Sequence, residues 1–176
     1  MINININNRG FQFEDGISVL KAAEMAGIKI PTLCYLNGRE PKGACRVCLV
    51  EIIGAKTLAA ACSTPITEGM KILTNSKRVR EARKTVIELL LSEHNGECQT
   101  CERNEDCELQ ALAREYGVSD VRYQGERAYI HIDTSTPALI RDNGKCIKCR
   151  RCVTVCGEIQ DVAALFPQGR GFQTIV

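Results

Sequence analysis

The sequence has no tryptophan, and aromatic residues make up only 5% of its 176 positions. One large core is therefore not the expectation; several small cores, each held by some other staple, are. Long apolar runs are also missing. None approaches the roughly 20 residues that a membrane-spanning helix needs, which excludes direct membrane insertion. The N-terminus shows no basic segment followed by an apolar stretch, so nothing there reads as a secretory leader. No acid-base pair, no nucleophile with its base and no phosphate-cradling glycine loop can be found, so bond-making chemistry is expected outside this chain.

What the chain does have is cysteine. There are eleven, an odd number, and many sit in C-x2-C pairs. That count and the lack of a leader argue against a secreted disulfide scaffold. The thiols read instead as metal ligands kept reduced in the cytoplasm.

Lys145 to Gly157, KCIKCRRCVTVCG, is the densest of the cysteine groups. Cys146, Cys149, Cys152 and Cys156 stand at C-x2-C-x2-C-x3-C, the run that holds a 4Fe-4S cluster in bacterial ferredoxins. Cys146, Cys149 and Cys152 can wrap one corner of a cubane, while Cys156 belongs to a second cluster. No cysteine follows Cys156. The chain thus lacks one ligand for the first of these clusters and three for the next, and is expected to be cut before its redox unit is complete.

At the other end, Ile2, Ile4 and Ile6 alternate with Asn, a half-buried strand; Asn7 to Gly10 supplies a turn, and Phe11 and Phe13 mark the return strand of a hairpin. Ser18 is the expected N-cap of a helix from Val19 to Ala26, stopped by Gly27, with Leu20, Ala23 and Ala26 inward. Arg46 to Ile53 and Met70 to Leu73 read as later strands. This order suggests a β-grasp layout. Within it Cys34, Cys45, Cys48 and Cys62 are spaced C-x10-C-x2-C-x13-C. The plant-type 2Fe-2S run has C-x4-C-x2-C and a distant fourth cysteine, so here the first loop is longer. Gly43 and Ala44 are small enough to let backbone N–H groups approach sulfur. Zinc sites more often use two tight pairs, and only one pair is tight here.

Lys77 to Glu93 carries Val79, Ala82, Val86, Leu89 and Leu90 at helical spacing, with Lys77, Arg78, Arg80, Arg83 and Lys84 as an expected solvated face. Directly after it come His94, Cys98, Cys101 and Cys107, spaced H-x3-C-x2-C-x5-C. Neutral imidazole and three thiolates suit either zinc or a 4Fe-4S cluster, and ligand chemistry alone does not decide. Their position between two iron-sulfur signatures favours the cluster. Asp106 is a candidate cap for a short helix through Leu109, Leu112, Ala113 and Tyr116 to Gly117. Glu97, Glu102, Glu105 and Glu108 are solvated surface or, on a sharper reading, a field disfavouring cluster reduction. His131, in the expected strand Tyr129 to Ile132, is assigned to surface or packing. Arg150 to Ile159 reads as helix, and the last residues as a strand.

The formal charge of +2 describes the bare polypeptide. A 2Fe-2S cluster with four thiolates adds about −2, and a 4Fe-4S cluster with three thiolates and a neutral His about −1. The positive balance therefore implies no nucleic-acid partner.

Four pieces together carry a family resemblance: Cys34-Tyr35-Leu36 followed by Cys45-Arg46-Val47-Cys48, the His94 to Cys107 set, the Cys146 to Cys156 run, and Glu158-Ile159-Gln160 followed by Gly169-Arg170-Gly171-Phe172. In this order they resemble the N-terminal iron-sulfur region of iron-only (FeFe) hydrogenase large subunits, especially the NAD(P)-linked type. NAD-linked formate dehydrogenase catalytic subunits and the large iron-sulfur subunit of complex I look similar over the same region; Cys156 argues against the last, and formate dehydrogenase stays open. The resemblance implies an α+β chain in parts. Residues 1–76 would form a β-grasp 2Fe-2S ferredoxin domain, and 77–118 a small helical 4Fe-4S domain with one His and three Cys ligands. A connector, 119–137, would lead to a partial two-cluster 4Fe-4S ferredoxin domain over 138–176. The resemblance also implies an electron-transfer module that relays single electrons between a flavin/NAD(P)H-oxidising iron-sulfur subunit or a ferredoxin and a catalytic region lying beyond Val176. A zinc-stabilised interaction module is the alternative of a different class.

Overall fold

Asn7 and Asn8 take φ 51° and 65°, the left-handed pair that a two-residue type I′ hairpin turn requires. In this computed structural model, which describes residues 1–123 and 132–176, β1 (Ile2–Ile6) therefore turns straight into antiparallel β2 (Arg9–Phe13). The turn is shorter than the Asn7 to Gly10 expected from residue types, because two left-handed asparagines complete it and leave Arg9 and Gly10 in the strand. The expected positions Tyr129, Ile130 and His131 lie outside the described residues.

Contacts divide the chain into Met1–Val86 and Ile87–Val176. In the first unit, β3 (Leu49–Ile52), β4 (Ala59–Ala60) and β5 (Lys71–Leu73) complete a five-stranded sheet in the order β2-β1-β5-β3-β4. β5 runs parallel to β1 and antiparallel to β3. The strand expected from Arg46 starts only at Leu49, since Arg46 itself turns at φ 57°. β4 carried no signal in the sequence.

α1 (Val19–Met25) is capped by Ser18, whose hydroxyl accepts the Lys21 N–H at 3.2 Å. Its Val19, Leu20, Ala22 and Ala23 join Ile4, Ile6, Phe13, Val50, Ile66 and Ile72 in one core, and that core also contains Cys48 and Cys62.

α2 (Lys77–Glu93) has the bounds that its periodicity predicts. Its faces are not as expected. Arg83 is only 2% exposed and donates to the Leu49 carbonyl at 2.7 Å, whereas Leu89 is 43% exposed. The periodicity could not anticipate this, because a long basic side chain can reach a backbone carbonyl at the start of β3.

In the second unit the buried Glu88 carboxylate is paired with Arg122 at 2.8 Å. α3 (Glu108–Glu115) buries Leu109 and Leu112. Its N-cap is Cys107 and not Asp106; the N–H of Ala111 bonds the Cys107 carbonyl, and no side chain caps the helix. β6 (Ile132–Asp133) pairs with β7 (Arg141–Asp142), and a 3-10 turn, Asn143–Lys145, follows. The helix expected over Arg150 to Ile159 is a short α4 (Arg151–Thr154) that widens into a π turn, Val155–Ile159. The expected final strand is instead a 3-10 turn, Gly171–Gln173, closed by a single bridge between Gln168 and Ile175. Gly169 at φ 74° makes that turn possible, because a side chain there would run into the Gln173 carbonyl.

Candidate iron-sulfur sites

Cys34, Cys45, Cys48 and Cys62 are all buried, at 2–8% exposure. Local backbone geometry explains how four polar sulfurs are accommodated there. Gly43 and Arg46 take positive φ on either side of Cys45, and such alternation turns successive N–H groups to one side, the kind of concavity that accepts anions and cluster sulfur. The N–H groups of Cys45 and Ala44 donate to the Cys34 sulfur, that of Val47 to Cys45, and that of Cys62 to Cys48. The loop carrying Cys62 is bonded into the core: the Ala61 N–H donates to the Cys48 carbonyl at 3.0 Å. Val19 and Leu20, at the open N-terminus of α1, donate to the Thr64 and Ala61 carbonyls at 2.8 and 2.9 Å. Helix donors that would otherwise be orphaned thus fix the loop.

The four thiols stand as two hydrogen-bonded pairs, Cys34 with Cys45 and Cys48 with Cys62. The Cys45 S–H holds Cys34 well below the usual thiol range, at about 5. Cys45 is pushed up, first by that same bond and then by burial. Cys62 is lowered by the Cys48 S–H, and Cys48 is raised in turn, by the bond to Cys62 and by burial. One thiolate per pair comes readily and the second is resisted until positive charge arrives. A buried set of sulfurs ringed by N–H donors and awaiting cationic charge fits the irons of a 2Fe-2S cluster. Among the described residues no three His, Cys, Asp or Glu side chains close on a single ion-sized point. Paired thiols suit a group containing more than one iron better than a single tetrahedral zinc, whose donors must all lie about 2.0–2.3 Å from one centre.

The second unit brings His94, Cys98, Cys101 and Cys107 to one cavity of about 730 Å³, and Cys146 lies on its wall as well. Gly96 turns the chain at φ 72° between His94 and Cys98. The Cys98 N–H then bonds the Gly96 carbonyl at 2.8 Å, and the Asn104 N–H bonds the Cys101 carbonyl at 2.9 Å. His94 accepts the Gly96 N–H at Nδ1, 3.2 Å, and donates from its ring to the Lys145 carbonyl. Burial lowers its pKa and keeps the imidazole neutral, the form that binds a metal. One neutral nitrogen, Nδ1 once it exchanges the Gly96 N–H for iron, and three sulfurs on one cavity fit a 4Fe-4S cluster with a His corner. Glu97, Glu102, Glu105 and Glu108 are all exposed, and of these Glu102 and Glu108 also line the cavity.

Cys146, Cys149 and Cys152 are close enough for their charges to interact. Burial, ahead of that repulsion, raises Cys146. Lys148 and Arg150, in the gaps of the run, take φ 55° and 61°, and the Lys148 N–H donates to the Cys146 sulfur at 3.4 Å. Cys156 stands apart from the cavity, in the π turn, and its sulfur accepts the Ala164 N–H at 3.2 Å. The left-handed residues in this run are lysine and arginine, so residue type gave no warning of them; only the tight C-x2-C spacing did. The spacing also gave no hint that Lys148 would bond Glu93 or that Arg151 would bond Glu108, at 2.5 and 3.0 Å.

Comparison with known proteins agrees with this donor chemistry. Residues 1–77 match the 2Fe-2S iron-sulfur cluster binding domain, and residues 83–122 match the NADH-ubiquinone oxidoreductase-G iron-sulfur binding region. The NADP-reducing hydrogenase subunit HndD of Solidesulfovibrio fructosivorans is 42% identical over all of this chain and 31% of its own length. The NADPH-Fe(3+) oxidoreductase subunit alpha of Geobacter sulfurreducens is 35% identical over all of this chain and 21% of its own length. The chain thus spans between about a fifth and a third of these relatives. A crystal structure of an NAD+-reducing [NiFe]-hydrogenase in the H2-reduced state superimposes with a TM-score of 0.89 at 33% identity, over 98% of this chain and 73% of that one.

Proposed function

The chain belongs to the iron-sulfur electron-transfer proteins that join a 2Fe-2S cluster binding domain to the NADH-ubiquinone oxidoreductase-G iron-sulfur binding region, and from that premise we propose that it wires electrons within an NAD(P)-linked hydrogenase subunit. The observation that carries the reading is the donor arrangement: two buried thiol pairs in one unit, and His94 sharing a cavity with four cysteines in the other. We assign the 2Fe-2S cluster to Cys34, Cys45, Cys48 and Cys62 on a β-grasp sheet, and a 4Fe-4S cluster to His94, Cys98, Cys101 and Cys107. Cys146, Cys149 and Cys152 would hold three corners of a further 4Fe-4S cluster, and Cys156 would serve another, with the remaining thiolates supplied from outside these residues. Such clusters supply one-electron acceptance and release.

The chain's own residues set where that happens and how readily. Burial excludes water from the first set, and N–H donors at Cys34, Cys45 and Cys48 stabilise negative sulfur. His94 and Cys146 share a cavity wall, which supports a direct electron path between the second and third sets. A flavin/NAD(P)H-oxidising subunit or a ferredoxin is the expected exchange partner at one end and a catalytic region at the other. Thiols that must stay reduced support a cytoplasmic location. A complex I-like subunit is the second reading, favoured by the match of residues 83–122.

The test is iron, zinc and acid-labile sulfide per chain on anaerobically prepared protein, with EPR after dithionite. About six irons with one 2Fe-2S and one 4Fe-4S signal is the result for the first two sets alone, and about ten or more if the Cys146 set is completed by a partner. Zinc without sulfide overturns the reading.

A further inference from the structure

His94 is the only histidine among the described residues, and both sides of its ring meet backbone. The acceptor on one side, the Lys145 carbonyl, ends the short turn Asn143–Lys145. A three-residue turn does not hold its own position, so something must fix it against the end of α2. One tie is the Asn95 N–H, which donates to the Gly144 carbonyl at 3.0 Å. The stronger tie is ionic. The Lys148 ammonium lies 2.5 Å from the carboxylate of Glu93, the residue before His94, and the two side chains are only 17% and 23% exposed. Lys148 also donates to the Gly171 and Phe172 carbonyls at 3.4 and 3.3 Å. All three ammonium protons therefore have acceptors.

We propose that Lys148 and Glu93 are positioning residues for His94, their ion pair holding the 143–148 segment against the end of α2 so that the Lys145 carbonyl stays on the imidazole. The inference rests on the reading of His94 as a cluster ligand and goes beyond it. With the ring N–H on the Lys145 carbonyl, iron would bind at Nδ1 in place of the Gly96 N–H, and a carbonyl so bonded fixes the ring's tautomer and orientation and makes it a stronger donor to iron. When the carbonyl drifts away, the imidazole donates less and the cluster accepts an electron more readily. The midpoint potential should rise.

Opposite charge changes separate this from a plain field effect. Lys148→Met removes a positive charge and Glu93→Gln removes a negative one. Acting as local charges only, the first would lower the midpoint and the second raise it. Acting through the Lys145 carbonyl, both raise it. The experiment is redox titration by EPR of the iron-loaded protein, with pulsed EPR of the 14N coupling from His94 and with iron content measured for every variant. We expect both variants to favour the reduced cluster by about tenfold, about 59 mV for a one-electron couple, with an altered 14N coupling, and Lys148→Arg to stay near the parent. Shifts of opposite sign, or none in either variant, overturn the proposal. If both single variants lose the cluster, the charge-reversed pair Glu93→Lys with Lys148→Glu decides: recovery supports the ion pair, and no recovery overturns it. A parent protein with no 4Fe-4S signal would fail the cluster reading itself, a result distinct from all of these.

Discussion

Arg83 tests whether the basic face of α2 is a solvated surface or part of the support for the first site. It is 2% exposed, and its guanidinium donates at 2.7 Å to the carbonyl of Leu49, the residue after Cys48. In Arg83→Met the aliphatic stem stays and the donor goes. Leaving this partly buried carbonyl without its charged donor costs about 1.5–3 kcal/mol, and relief from burying a cation offsets part of that. A net loss of about 1–2 kcal/mol is expected. Arg83→Ala also removes the two methylenes beyond Cβ at about 0.8 kcal/mol each, which brings the total to roughly 2.5–3.5 kcal/mol. For a unit of 60–100 residues each kcal/mol moves Tm by about 4–8 °C. The assay is thermal unfolding by far-UV circular dichroism, with the visible 2Fe-2S signal followed in parallel. The expected order is parent, then Met, then Ala, with the visible signal lost at or below the main transition. If both variants fall within about 0.5 kcal/mol of the parent, the side chain is solvated and the reasoning fails. Equal losses in the two would show that packing of the stem counts for nothing, which also refutes it.

Replacing His94 by Cys adds a thiolate charge to its set and should lower that cluster's midpoint in an EPR titration; an unchanged midpoint would remove His94 from the ligand set. Ser18→Ala deletes the cap that accepts the Lys21 N–H and should destabilise the first unit by about 1 kcal/mol in a denaturant titration, whereas Ser18→Asp should restore most of it. The Glu68 carboxylate accepts from the backbone N–H and then the side chain of Asn3, which lowers its pKa. Its stabilising share is therefore present above the ordinary carboxylate range and is lost as pH falls through the lowered value. Glu68→Gln should flatten stability against pH on that acid limb, and an unaltered limb would show the contact to be inert.

Much of the candidate site was legible because donor spacing is a local property. His94 with Cys98, Cys101 and Cys107, and the tight run from Cys146, are written within a few residues of one another. α2 likewise kept its expected bounds, since apolar periodicity over that length leaves little freedom. Misplaced elements were those decided by single backbone angles or by distant partners. Asn7 and Asn8 complete the hairpin turn in two residues, Cys107 displaces Asp106 as the cap of α3, and the last residues turn instead of extending.

The sequence by itself determined the candidate donors: which sulfurs and which imidazole stand in what order, and hence the electron-transfer chemistry that iron and sulfide would support here. It did so because a metal ligand is recognised by its own atoms and by short-range spacing. Only the tertiary structure decided that Cys48 and Cys62, separated by β3 and β4, share one core, that Arg83 turns inward, and that Lys148 reaches Glu93 across more than fifty residues of chain. Those facts depend on which segments pack together, and no residue's own chemistry contains its neighbours.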